Sequence, residues 1–424
     1  MSHGVDASAQ TMFRAVPSRE GDRVTTTELF FDLAFVFAFT QLTRLMAHEH
    51  SALGVFQALG IMALLWWSWT AYGWLSNLAH ADEGVVRVAM IVGMIAVFVA
   101  GLGIRETFDD LPGGVFAPMV FVCAYLVARV AHGIVFALLS EPALRRRTVV
   151  TVALSVIPSG VLLTVGALIG GPWQLVCTLA AVAIEPLAAY RMSLGVEWPV
   201  RSTTHFTERH GLIMILALGE TTLGIGVGVA SEPMSEAILT GVILSMLICV
   251  GMWWAYFTRL AKSAEHTLRS LPSVTRARTA TDAYTYLHLV LIGGIVLAAL
   301  GLEVAMAHID ATEPYGLFGA VALAGGVACY LAGTALFAHR MHGQWNRTRL
   351  TLATALVLAV PLVANVTPMV ALASVAAALV GLNILEHVRA RGEQGQDSAP
   401  SYSHSTPGGT YASNPAPSSA VGRS

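Results

Sequence analysis

Charge is what this chain has least of. Only 12% of its 424 residues are Asp, Glu, Lys or Arg, against roughly a quarter in a soluble domain. So few charged side chains cannot cover a water-soluble globule of this length, which excludes that class. The 24 basic and 26 acidic residues nearly cancel, giving a formal net charge of -2, so no basic field marks nucleic acid as a partner. Cysteine is also scarce. Cys123, Cys177, Cys249 and Cys329 each stand alone in an apolar run, without the spacing that holds zinc, and read as small buried side chains. No Walker loop, metal pair or nucleophile with a base at usable spacing occurs. The chain is therefore expected to be neither an enzyme nor an ATP-driven pump, with no metal and no cofactor.

What is present is hydrophobic sequence: 55% of residues are apolar and the mean hydropathy is +0.66. About 20 apolar residues in a helix span the hydrocarbon core. Twelve runs of that kind are bounded by charge, Pro or Gly, at about 26–47, 52–78, 84–104, 113–139, 148–169, 172–192, 206–229, 234–258, 282–306, 314–338, 348–366 and 368–389. The last two, divided by Val366-Thr367-Pro368, also read as one broken helix. The predicted class is an all-α polytopic membrane protein of about twelve transmembrane helices, with the lipid bilayer as its first partner.

Residues 1–24 are polar. The apolar run after them carries Glu28 and Asp32 and lacks a cleavage site, so it is not a signal peptide. Residues 392–424 are rich in Gly, Ser, Pro, Gln and Asn and are expected to be a disordered tail. Apart from Arg44, Arg105 and Arg129, every Lys and Arg falls in segments that share a side with the N-terminus. That asymmetry predicts both termini in the cytoplasm.

Landmarks recur in order along the two halves. Glu28 and the helix after it align with Glu208 and its helix, Trp66-Trp67 with Trp253-Trp254, Tyr125 with Tyr330, Arg147-Thr148 with Arg347-Thr348, and Pro172 with Pro368. The expected organisation is two parallel six-helix repeats, residues 25–192 and 206–391, joined by a cytoplasmic linker at 193–205. Parallel duplication is found in transporters whose site lies between the halves.

A charge near the bilayer centre costs at least about 2.5 to 3.5 kcal/mol, so the few ionisable groups inside the runs are the best functional pointers. Glu28 and Asp32 lie one helical turn apart on one face, and Thr25 to Thr27 can cap the helix at Glu28. His205, Glu208 and Arg209 form a polar cluster able to pair internally or with Glu28. Glu220 stands about 18 Å farther along its helix than Glu208, near mid-membrane, and is the strongest candidate. Gly219, Gly224, Gly226 and Gly228 surround it, consistent with close packing or local unwinding that offers carbonyls to a cation.

Asp32, Glu220, Glu28, Gln41 and Thr221 are the candidate ion or solute ligands. His205, Glu208, Arg209, Arg129, Glu185 and His288 are the candidate supporting network. Arg129 needs a buried anion, with Glu185 and Glu220 as possible partners. His132, Asp282, Glu303 and Glu386 complete the set of interior ionisable groups. Trp66, Trp67, Trp69 and Trp74, with Trp253 and Trp254, read as an aromatic belt at headgroup level or as the wall of a shared cavity.

Two stretches carry a family resemblance. Thr27-Glu28-Leu29-Phe30-Phe31-Asp32 through Thr40-Gln41-Leu42, and Glu208-Arg209-His210-Gly211 through Leu218-Gly219-Glu220, resemble the bacterial low temperature requirement A (LtrA) family over roughly residues 23 to 390. The resemblance implies a multi-pass protein of the bacterial inner membrane linked to growth at low temperature, and it carries over no catalytic residue. Phe31-Asp32 with Phe35-Val36-Phe37-Ala38 and Thr40 is also similar to the pore-lining first helix of a potassium-channel family built from six-helix repeats. Here Phe31 stands where that family has serine, and Leu212 where Asp32 would align. The readings are then a small-solute or ion transporter, a cation channel assembled as a homodimer, or a membrane sensor or assembly factor acting through its loops.

Overall fold

Every span breaks the chain's contact with water, so each must satisfy its own backbone, and a helix does so internally. In the computed structural model, residues 16–193, 200–229 and 232–397 are described, and helix accounts for all secondary structure among them except one isolated bridge. Twelve of the helices among the described residues are long and apolar enough to cross a membrane. They are α1 (Thr26–Glu49), α2 (Ala52–Leu78), α3 (Gly84–Leu102), α4 (Ala117–Leu139), α5 (Pro142–Ile169), α6 (Gly171–Ser193), α7 (Thr203–Gly228), α8 (Glu236–Phe257), α9 (Ser273–Ala307), α10 (Leu317–His342), α11 (Arg347–Ala364) and α12 (Pro368–Asp397). The chain is an all-α polytopic membrane protein.

Local sequence explains the boundaries. Thr25, Ser51, Ser202, Ser235 and Asn346 each accept a backbone N–H at a helix start, the ordinary role of such side chains. Asn365, Val366 and Thr367 separate α11 from α12, so the last apolar stretch is two helices and not one broken one. The expected loop before α9 is instead largely helical. A short helix at Leu260–Ser270 buries Leu260, Ala264 and Leu268 on one face, and α9 begins at Ser273, well ahead of its apolar run. Hydropathy marks only the part of a helix inside hydrocarbon, and polar turns extend past it.

Contacts divide the chain after Asn383. The first unit holds α1 to α11 and most of α12. The second begins at Ile384 and, as far as Asp397, continues the same helix. The tail expected over 392–424 lies outside the described residues from 398 onward, as do 1–15 and, in the expected linker, 194–199.

Within the first unit α1 packs on α3, α3 on α4 and α4 on α5, and in the same order α7 packs on α9, α9 on α10 and α10 on α11. α1 also touches α7 and α9. α9 and α10 approach closely enough for their backbones to meet. A Cβ on Gly301 would come within 2.4 Å of the Leu323 nitrogen, and one on Gly326 within 2.3 Å of the Ala298 nitrogen. Both helices also contain a π-helical stretch, Thr281–Leu287 in α9 and Val321–Gly325 in α10. Around Glu220 the expectation differs from the structure. α7 is continuous, and Gly219, Gly224 and Gly226 have open space beside them, leaving only Gly228 against α9.

Candidate functional site

Thr25 and Glu28 form a capping box at the start of α1, which fixes the Glu28 carboxylate at the helix entry. The same carboxylate is fully buried and faces α7. The His205 Nε2–H donates to Glu28 at 2.9 Å, because the ring's Nδ1 accepts from the Asn77 amide at 3.3 Å. Asn77 also donates to the Ser202 carbonyl and accepts from the Arg201 backbone N–H. Arg209, one turn beyond His205, reaches Glu28 at 3.4 Å and Asp32 at 3.0 Å.

Asp32 Oδ1 also accepts the Trp69 indole N–H at 2.8 Å. The Arg209 guanidinium lies over the Phe31 and Trp69 rings, 5.7 and 5.4 Å from their centroids, a placement that adds cation–π attraction to the ion pairs. Glu208 takes no part in this centre and accepts the Val24 backbone N–H instead. Two expected cation ligands, Glu28 and Asp32, thus share one cation of the protein itself, Arg209. Arg209 is buried inside α7, and so does not belong with the loop residues that set orientation.

A second ion pair joins α4 to α6. Arg129 Nη2 lies 2.9 Å and Nε 3.1 Å from Glu185 Oε2. The other oxygen of Glu185 accepts from the Tyr125 and Ser159 hydroxyls at 2.8 and 2.7 Å. Arg129 therefore selects Glu185 and not Glu220.

Beside the α1–α7 centre lies a buried group of rings. The His288 Nδ1–H donates to the Ala283 carbonyl at 3.0 Å and its Nε2 accepts from the Tyr256 hydroxyl at 2.8 Å. That carbonyl lies in the π-helical stretch of α9. Trp66 donates to the Thr285 carbonyl at 2.7 Å. His210 sits edge-on to Trp69 and 5.3 Å from the ring of His288, its Nδ1–H on the Phe206 carbonyl and its Nε2 without a protein partner. The sequence signalled His210 only as a member of its Glu-Arg-His-Gly stretch.

The tryptophans divide by helix. Trp66 and Trp69 stack in the core, whereas Trp253 and Trp254 are each 41% exposed. The belt reading suits α8 and fails for α2, where the Trp66, Trp69 and Trp74 indole N–H groups find the Thr285 carbonyl, the Asp32 carboxylate and the Thr285 hydroxyl.

Glu220 is of a different kind. It lies in α7 about 26 Å from the first residue and about 12 Å from the last at 1.5 Å per residue, about 7 Å past the middle of the helix. It is only 1% exposed, has no ion pair, and its Oε2 has no protein hydrogen bond. Its polar neighbours are Thr43, Arg44 and Glu303, from α1 and α9. Thr221 is buried with its hydroxyl on the Ala217 carbonyl, and Gln41 is half-buried in α1. Asp282 pairs with Arg340 at 3.0 Å, away from Glu220.

A multi-pass helical membrane protein that ties most of its interior charge into two buried centres is the class these features define. The chain belongs to the bacterial low temperature requirement A family. The family model described as bacterial low temperature requirement A protein (LtrA) matches residues 23–384. An uncharacterized protein of Rhizobium meliloti (strain 1021) is 31% identical over 322 residues, covering 72% of this chain and 75% of the relative. No solved structure matches.

Proposed function

We propose that the protein moves a small solute or ion across the bacterial inner membrane and that Glu220 is the carboxylate that takes up and releases a cation or proton. The observation that carries this reading is the contrast among its buried acids. Glu28, Asp32 and Glu185 are ion-paired, and among the described residues Glu220 is the buried carboxylate left without one. A buried charge left without a partner is costly unless the site exchanges a cation or proton. Thr43 and Glu303 are placed to share that ligand. Asp32, Glu28 and Arg209 then hold α1 to α7. The common neighbour order in the two halves supports a parallel duplication around the site.

The test is ion flux into proteoliposomes holding wild type or Glu220→Gln, with K+, Na+ and pH gradients applied in turn. Wild type should carry flux and the isosteric variant should lose it at an unchanged thermal midpoint. Unaltered flux in the variant, or no flux in folded wild type, overturns the reading. Flux that ignores a coupling gradient and resolves into unitary currents would identify the channel alternative, and specific partners of the loop at 259–281 the sensor or assembly alternative.

A further inference from the structure

A cavity of about 170 Å³ lies among α2, α4, α5, α6 and the π-helical stretch of α9. It is distinct from the Glu220 site, and aromatic side chains make much of its wall: Trp67, Trp74, Phe136, Tyr190 and Tyr286. The Trp67 and Tyr286 rings lie within 25° of parallel, with centroids 6.3 Å apart. An enclosed apolar space of about 150 Å³ accommodates a benzene-sized ring.

Its polar groups are unusual. Arg129 Nη1, Trp67 Nε1, His132 Nε2 and Ser155 Oγ all belong to lining residues, and none has a hydrogen-bond partner in the protein. Arg129, His132 and Ser155 are more than nine-tenths buried. An unmet buried donor or acceptor costs about 1–3 kcal/mol, so four such atoms on residues lining one cavity point to a ligand that meets them.

The Arg129 donor is held in place. Glu185 occupies Nε and Nη2 with one oxygen, while the Tyr125 and Ser159 hydroxyls hold the other. The carboxylate therefore cannot turn to cover Nη1. No carboxylate lines the cavity among the described residues, and two of the four unmet atoms, on Arg129 and Trp67, are obligatory donors. The unmet donors suit an acceptor, and no carboxylate stands in the described lining to pair with a cation.

We infer that this cavity binds a small planar organic solute whose polar end carries an acceptor oxygen, a ring carboxylate or carboxamide. The ring lies among the aromatic walls and the oxygen takes N–H from Arg129 and Trp67. A carboxamide also has an N–H for the His132 Nε2. The inference stands apart from the transport reading, since binding is measured without a gradient and can succeed where flux fails.

The experiment is equilibrium dialysis of radiolabelled benzoate, benzamide and benzylamine against full-length protein in phosphatidylcholine nanodiscs. Benzoate or benzamide should bind saturably, and benzylamine, alike in size but without the acceptor, about tenfold more weakly or worse. The double variant Trp67→Phe with Ser155→Ala, which leaves the Arg129–Glu185 pair intact, should weaken the acceptor probes about tenfold at an unchanged thermal midpoint. Benzylamine binding as tightly as the others, no saturable binding of any probe, or no effect of the double variant overturns the proposal. Loss of probe binding when phosphatidylglycerol is added to the nanodiscs overturns it too, assigning the cavity to a lipid headgroup.

Discussion

At the scale of single residues, the buried ion pairs show what each carboxylate is free to do. Arg209 serves both Glu28 and Asp32, which are completely inaccessible, so its removal strands two charges at once. Breaking a buried pair costs about 3–5 kcal/mol. Arg209→Ala is therefore expected to lower the thermal midpoint in nanodiscs sharply, with Arg209→Lys intermediate because it keeps the charge and loses the planar fork. A midpoint unchanged in Arg209→Ala would show that the centre is not structural. Much of this was legible in the chain. His205 and Arg209 stand one turn apart facing Glu28, and Arg129 plainly required an acid. The partner of Asp32 was not legible, because it depends on which faces of α1, α2 and α7 meet, and Trp69 announces nothing in sequence that separates a carboxylate-bound indole from a headgroup-level one.

At the scale of helices, glycine density proved a poor guide to close approach. Gly219, Gly224 and Gly226 beside Glu220 face open space, while Gly301 and Gly326 let α9 and α10 meet backbone to backbone. Packing depends on the partner surface and not on the count of small residues along one helix. Gly301→Val should drive the two helices apart and cost at least about 1–3 kcal/mol, read as a lowered midpoint. Gly219→Ala meets nothing and should be neutral or stabilising by up to about 1 kcal/mol. Equal destabilisation by both would contradict the tight seam. The π-helical stretches were equally hidden. No residue type encodes them, and they become visible only in the backbone.

For the whole molecule, the number of crossings was the most legible feature, since it needs only the apolar length of each run. An even number of crossings predicts both termini on one side, and the distribution of Arg and Lys predicts that this side is the cytoplasm. Removing Arg209 from the loop set leaves the asymmetry intact. Green fluorescent protein fused after Ser424 should fluoresce in the native host, and alkaline phosphatase at the same place should be inactive. The opposite pair of results would reverse the orientation.

The position of Glu220 along α7 has an electrical consequence. It lies about 12 Å from one end of a helix about 38 Å long, so if it is the proposed cation site and the field falls evenly along α7, an ion reaching it from that end would traverse about a third of the transmembrane field. With about 2.3 kcal/mol per elementary charge for each 100 mV, that entry step is worth about 0.7 kcal/mol and the remaining passage about twice as much. On the proposed function, voltage would therefore act unequally on loading and release, and chiefly on the longer leg, the one that passes the level of Arg209.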